Sequence, residues 1–232
     1  MKRFLALVLA LVMVLSLTAC AKKEENADPN SLPREETLYF AGQQWGAVNT
    51  WNPIGANQNC WVISGGSAAR EVMFETPYMY NPLDGSMKPL LADGDYTWNA
   101  DLTELSFKFK DAAKWSDGTD VTGADLVRTW EIGCEIMNGT GSGYISYIDK
   151  IVADGKNVTI YAAKNDAGQP KNPLKVLDFI VSTYVAQAAW IDTVAERNNN
   201  DATAILNDPA EDVVWSGVST TRRTGARSFT VR

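Results

Sequence analysis

The stretch QWGAVNTWNPIGANQNCW, residues 44–61, sets Trp45, Trp51 and Trp61 among Asn49, Asn52, Asn57 and Asn59. Indole faces and neutral amides are the side chains that recognise an oligosaccharide or a peptide. A sugar packs its C–H face on an indole and satisfies its hydroxyls with amides, and a peptide backbone uses the same donors and acceptors. Trp45, Asn49, Trp51, Asn52 and Trp61 are therefore the candidate substrate-binding residues. Three of the eight tryptophans fall in this loop, which leans toward a sugar.

Catalysis has little to work with. The chain has no histidine, which removes Ser-His-Asp and Cys-His chemistry together with histidine-bearing metal sites. Cys20, Cys60 and Cys134 show no C-x-x-C spacing, so no four-thiolate centre is expected and no cofactor or metal is assigned. No Asp or Glu stands in the aromatic loop to form a glycosidase pair, and no catalytic residue is assigned. Cys60 and Cys134 are read as free thiols, although an exported protein would permit their pairing. A formal charge of −7 argues against nucleic acid, whose binding needs clustered Lys and Arg to release counterions.

The elements that must position the loop begin after an address. Residues 1–19 have a basic start, an apolar run and small residues, the layout of a secretory signal too short for a comfortable membrane span. Leu17-Thr18-Ala19-Cys20 resembles the bacterial lipobox, which would make Cys20 the lipidated first residue of the mature chain and anchor it without a spanning helix. Loss of Lys2 and Arg3 with the signal takes the charge from −7 to −9. Residues 20–36, polar and proline-bearing, are expected to be a flexible tether.

The body follows. TLYFAG at 37–42 reads as a first strand, and residues 67–80 carry helical spacing that Pro77 ends or kinks. Residues 81–85, NPLDG, are a turn. Residues 96–109 read as a hairpin with Leu105, Phe107 and Phe109 on one buried face. In KWSDGTDVTGADLVRTW, Ser116-Asp117-Gly118 is a turn and Thr122 with Asp125 forms a capping box. Leu126, Val127, Trp130, Cys134 and Met137 make the apolar face of the helix that follows. Residues 158–161 are a strand, and 174–196 a helix or a strand followed by a helix. Trp115 and Trp130 are expected in the core rather than on ligand.

Taken in order, PYMYNPLDGSMKPLLADGDYTWNADLTELSFKFKDAAKWSDGTDVTGADL resembles the extracellular solute-binding protein family 5, the peptide-, nickel- and oligosaccharide-binding subunits of ATP-binding-cassette importers. The resemblance implies an α/β, periplasmic-binding-protein-like fold of class II, cluster C type. It divides the chain into a first-lobe segment with the ligand loop (37–70), an inserted α+β subdomain (71–190) and a return toward the first lobe (191–217). It makes the W-S-D-G segment architectural and places ligand beside the 45–61 loop, between two lobes. It implies a monomeric, lipid-anchored protein outside the cytoplasmic membrane that hands an oligopeptide or oligosaccharide to permease subunits. A surface carbohydrate-active enzyme, or a binding module without transport, is the competing reading. Family members run to about twice this length, and residues 218–232 turn abruptly basic, with four arginines and no acid. The expectation is an amino-terminal fragment without the second lobe, from a truncated or frameshifted reading frame, with a natural short variant as the competitor.

Overall fold

A hairpin opens the described fold because Asn81 and Gly85 close a tight turn. Asn81 Oδ1 accepts from the Leu83 N–H at 3.1 Å, and the Gly85 N–H donates to the Asn81 carbonyl at 2.9 Å. Gly85 takes φ 72°, a left-handed conformation that glycine adopts without steric cost. A computed structural model of the chain describes residues 51–54, 74–135 and 143–216. The signal, tether, first strand, most of the tryptophan loop and the basic tail lie outside the described residues, as do Cys20, Cys60 and Met137.

Strands β1 (Tyr78–Asn81) and β2 (Ser86–Pro89) form the antiparallel hairpin. Strands β3 (Thr97–Trp98), β4 (Glu104–Lys108), β5 (Ile148–Asp154) and β6 (Asn157–Ala162) form an antiparallel sheet in the order β3-β4-β6-β5. Alternation decides its faces, as strand geometry demands. Leu105, Phe107, Val158 and Ile160 are buried, whereas Ser106 and Thr159 pair their hydroxyls at 3.0 Å on the wetter side. The expected 96–109 hairpin is present, its turn held by Asn99 Oδ1, which accepts from the N–H groups of Thr103 and Glu104.

Helices α1 (Gly123–Glu135), α2 (Pro173–Ser182), α3 (Ala188–Arg197) and α4 (Ala202–Leu206) complete the order. Helix α2 starts where Asn172 accepts from the Leu174 N–H at 3.1 Å, with Pro173 in the first turn where a missing N–H costs nothing. Two apolar clusters result. One joins the sheet to α1 and α2 through Leu105, Phe109, Trp115, Leu126, Val158, Ile160 and Phe179. The other gathers α3, α4 and the 51–54 segment around Ile54, Phe74, Trp190, Ile191, Val194 and Ile205.

Three expectations are corrected. Residues 78–80 are strand rather than the end of a helix, because backbone pairing with Met87, Lys88 and Pro89 outweighs the local helical spacing. Residues 174–196 are two helices with an extended link. That link includes Val185, whose N–H donates to the Glu75 carbonyl at 3.2 Å. The buried face of α1 runs through Asp125, Leu126, Thr129, Ile132 and Gly133, turned from the expected stripe, so Trp130 and Cys134 are only half-buried. Helix α1 is wedged between β5 and α3, and two contact surfaces rotate its buried stripe.

The approach of α1 to the β5–β6 hairpin admits no side chain at its first residue. A Cβ on Gly123 would stand 2.6 Å from the Ala153 Cβ and 2.9 Å from Val158 Cγ2, while the Gly123 N–H donates to the Gly155 carbonyl at 2.9 Å. Gly123→Ala is expected to cost about 1–3 kcal/mol through overpacking. Thermal unfolding should show it as a fall of roughly 2–4 °C per kcal/mol for a domain of this size. An unchanged melting temperature would show that the hairpin yields freely.

Candidate functional site

Residues 51–54 are the described part of the tryptophan loop, and hydrogen bonds tie them to the segment 205–209. The Trp51 N–H donates to the Pro209 carbonyl at 2.9 Å. Asn52 is fully enclosed: its Nδ2 donates to the Ile205 carbonyl at 2.7 Å, and its Oδ1 accepts from the Ile54 N–H at 3.0 Å. The expectation that Asn52 offers its amide to ligand is therefore corrected. Both ends of that amide satisfy backbone groups inside the fold, which a buried amide must do to avoid a desolvation penalty. Trp51 is half-buried against the second apolar cluster and keeps part of its indole exposed. Trp45, Asn49 and Trp61 lie outside the described residues.

Trp215 and Tyr184, which the sequence reading missed, rest half-buried on the same cluster as Trp51. Glu75 joins them through its backbone, its N–H donating to Ser216 Oγ at 3.3 Å and its carbonyl accepting from Val185. Burial pushes the Glu75 carboxyl above its ordinary range, partly offset by the charge of Lys110. Three partly exposed aromatic rings, Trp51, Tyr184 and Trp215, thus pack against the second cluster, and the backbone of half-buried Glu75 joins Ser216 and Val185. Such rings can stack on an apolar face. The only prior signal for Trp215 was its aromatic type in VVWSG.

The W-S-D-G segment holds Trp215 in place. Ser116 exchanges two hydrogen bonds with Trp215, the Ser116 N–H to the Trp215 carbonyl at 2.8 Å and the Trp215 N–H to Ser116 Oγ at 3.2 Å. Asp117 Oδ1 accepts from the Thr119 N–H and hydroxyl, and its Oδ2 accepts from Gln187 Nε2 at 2.8 Å. Gly118 turns the chain at φ 90°. Asp125 is the centre. Its Oδ2 accepts from Trp115 Nε1 at 3.2 Å and the Thr122 N–H at 2.8 Å, and its Oδ1 accepts from the Ala188 N–H at the start of α3 at 2.8 Å. The expected capping box is present in its reaching-back half and also caps a second helix.

Arg197 closes the far end. It pairs with Asp208, which is nearly buried, and with Asp212 at 2.5 Å, while Asp212 also accepts from Trp190 Nε1 at 3.3 Å. Burial works to raise Asp208, but the hydrogen bonds from Arg197, Asn198 and the Ala210 N–H hold it below the ordinary carboxylate range. Arg197 likewise holds Asp212 down, against a smaller effect of burial. Among the described residues no group of side chains could hold a metal ion, and no helix is long and apolar enough to cross a membrane.

With this geometry in view, comparison with known proteins defines the class. The description "Bacterial extracellular solute-binding proteins, family 5 Middle" matches residues 86–217, more than half the chain, and the chain belongs to that family of solute-binding proteins. It is 34% identical over 95 residues to the periplasmic oligopeptide-binding protein OppA of Escherichia coli (strain K12), covering 37% of this chain and 17% of that protein. Its fold is similar to the mannohexaose-bound periplasmic oligopeptide-binding protein of Thermotoga maritima. The TM-score is 0.62 at 20% identity, over 81% of this chain and 31% of that one. It also resembles the oligopeptide-binding protein AppA of Bacillus subtilis in complex with a nonapeptide, with a TM-score of 0.51 at 15% identity over 76% and 34% of the two chains. The fold is thus periplasmic-binding-protein-like, mixed α/β and part of a lobe. The chain spans about a third of the solved relatives' length and less than a fifth of the curated one's.

Asp125→Asn keeps the side-chain volume but turns an NH2 toward donors that need an acceptor. The loss is expected to be about 1–3 kcal/mol, the penalty for leaving buried donors unmet. Thermal unfolding should drop by several degrees, and Trp115→Phe by less, since it removes one of these donors. Equal stability of Asp125→Asn and the parent would refute the hub. For Arg197 the sign follows from Asp208 and Asp212. Their folded-state values lie below the unfolded value of about 3.9, so their stabilisation is complete above that pH. It is lost as pH falls through the lower folded values. Acid titration of stability should therefore be flat from neutrality to about pH 5 and fall below about pH 4, with a shallower fall in Asp208→Asn.

Proposed function

We propose that this chain is a substrate-capturing subunit of an ATP-binding-cassette importer. In this reading it binds an oligopeptide or oligosaccharide outside the cell and delivers it to permease subunits without making or breaking a bond. The family membership of residues 86–217 carries the reading. Support for a peptide comes from the E. coli relative, named for oligopeptides. Support for a sugar comes from the mannohexaose bound to the T. maritima protein and from the tryptophan-rich loop. Ligand meets Trp45, Asn49, Trp51 and Trp61, Trp215 adds a further aromatic contact, and Asn52 fastens the segment that carries Trp51.

The supporting organisation is that of the sequence reading. Residues 1–19 are removed, Cys20 is lipidated, and 20–36 tether a monomer to the outer face of the cytoplasmic membrane. Residues 37–70 bring the ligand loop, 71–190 the inserted subdomain and 191–217 the return to the first lobe.

Calorimetric titration with manno- and cello-oligosaccharides and with short peptides separates the ligands. The expected outcome is binding of one class, weakened by Trp51→Ala or Trp215→Ala about tenfold or more, since a buried aromatic contact contributes roughly 1–3 kcal/mol. Turnover of a chromogenic glycoside, abolished by one carboxylate substitution, would overturn the transport reading. Lipidation has its own readout: metabolic labelling with a clickable fatty acid should mark the parent and leave Cys20→Ser unmarked and released from membranes.

A further inference from the structure

A cleft of about 420 Å3 opens between the second half of α1, the start of β5 and the loop at 163–171, and none of Trp51, Tyr184 and Trp215 lines it. Trp130, Cys134 and Ile148 give it an apolar wall, and Lys164, Lys171 and Asp149 give it charge. The loop that carries the two lysines is built to hold its shape. The Lys171 N–H donates to the Ala163 carbonyl at 2.8 Å, and Asn165 and Gln169 close the turn at 2.8 Å. Asn165 Oδ1 accepts from the N–H groups of Ala167 and Gln169, both at 3.0 Å. Neither lysine has a carboxylate partner among the described residues, in a chain whose formal charge is −7.

Trp130 supplies a separate observation. Its Nε1 is buried and has no acceptor. A buried donor without a partner carries a desolvation penalty, and native structures rarely leave one without reason. Cys134 beside it is pushed up by burial and by the charges of Glu135 and Glu131, so its thiol stays protonated and acts as apolar wall.

We propose that this cleft binds a small organic monocarboxylate with an apolar body, a site separate from solute capture. The volume falls within the range of about 300–1,000 Å3 usual for small-ligand pockets. Two ammonium groups and one carboxylate leave a net charge of +1, which matches one carboxylate and disfavours a dianion. The wall of Trp130, Cys134 and Ile148 takes the apolar body. In this proposal the half-buried indole turns on binding, so that the unpartnered Trp130 N–H meets a ligand oxygen.

The test follows the Trp130 indole N–H signal in 15N-labelled full-length chain, assigned by its disappearance in Trp130→Phe. Phenylacetate, glutarate and inorganic phosphate are titrated separately at pH 7 and constant ionic strength. The expected result is a saturable shift with phenylacetate alone, with Kd below about 1 mM, weakened about tenfold or more by Lys164→Ala/Lys171→Ala. Lys150→Ala should leave it unchanged, because that ammonium sits 4.7 Å over the Tyr161 ring and does not line the cleft. Thermal unfolding confirms that each variant is folded, and the single Lys164→Gln and Lys171→Gln variants carry the test if the double variant is not. No saturation by about 10 mM, an equal response to phosphate, or binding that survives loss of the lysines would each overturn the proposal.

Discussion

The described fold depends on one buried carboxylate. Asp125 accepts hydrogen bonds from Trp115, from the start of its own helix and from the start of α3, while it is only 5% exposed. A charge taken so far from water is tolerable only when its lone pairs are met, and here donors 3, 10 and 63 positions away meet them. The first apolar cluster, built on the sheet, and the second, built on α3 and α4, are coupled through this atom group. Thr129 adds a parallel tie one turn along, its hydroxyl accepting from the Ala186 N–H at 3.0 Å.

From that hub the path to Trp215 is short. Ser116 and Asp117 follow Trp115 directly, and they fix Trp215 and Gln187. The tryptophan of the W-S-D-G segment faces inward while its next two neighbours reach outward to the elements that carry the exposed aromatics. The W-S-D-G turn and the half-buried Trp215 are therefore joined by hydrogen bonds at the Trp215 backbone. Family membership and geometry agree here: the matched segment, 86–217, holds both the hub and Trp215.

The sheet was legible because period-2 burial is written directly into Leu105, Phe107, Val158 and Ile160, and the turns because Gly85 and Gly118 mark them. The Thr122–Asp125 cap was legible from spacing alone, but not its second service to α3, since Ala188 donates from backbone that any residue would offer. The 78–80 strand was misread because Pro77 and local spacing hide a pairing that only Met87–Pro89 reveal. Of the substrate candidates, Asn52 was misread for a related reason: an amide suited to a sugar is equally suited to a bare carbonyl such as that of Ile205. Trp51 is half-buried against the second cluster, and Trp215 carried no pattern beyond its residue type.

The tie between Asn52 and Ile205 spans 153 positions of sequence, and that between Trp51 and Pro209 is comparable. Closing so long a loop carries an entropic cost before any contact rewards it, so contacts of this kind slow folding. The bonds of Trp51 and Asn52 to Pro209 and Ile205 cannot form until the chain has been made to Pro209. Asn52, among the first described residues to be synthesised, therefore waits for a partner made 153 positions later.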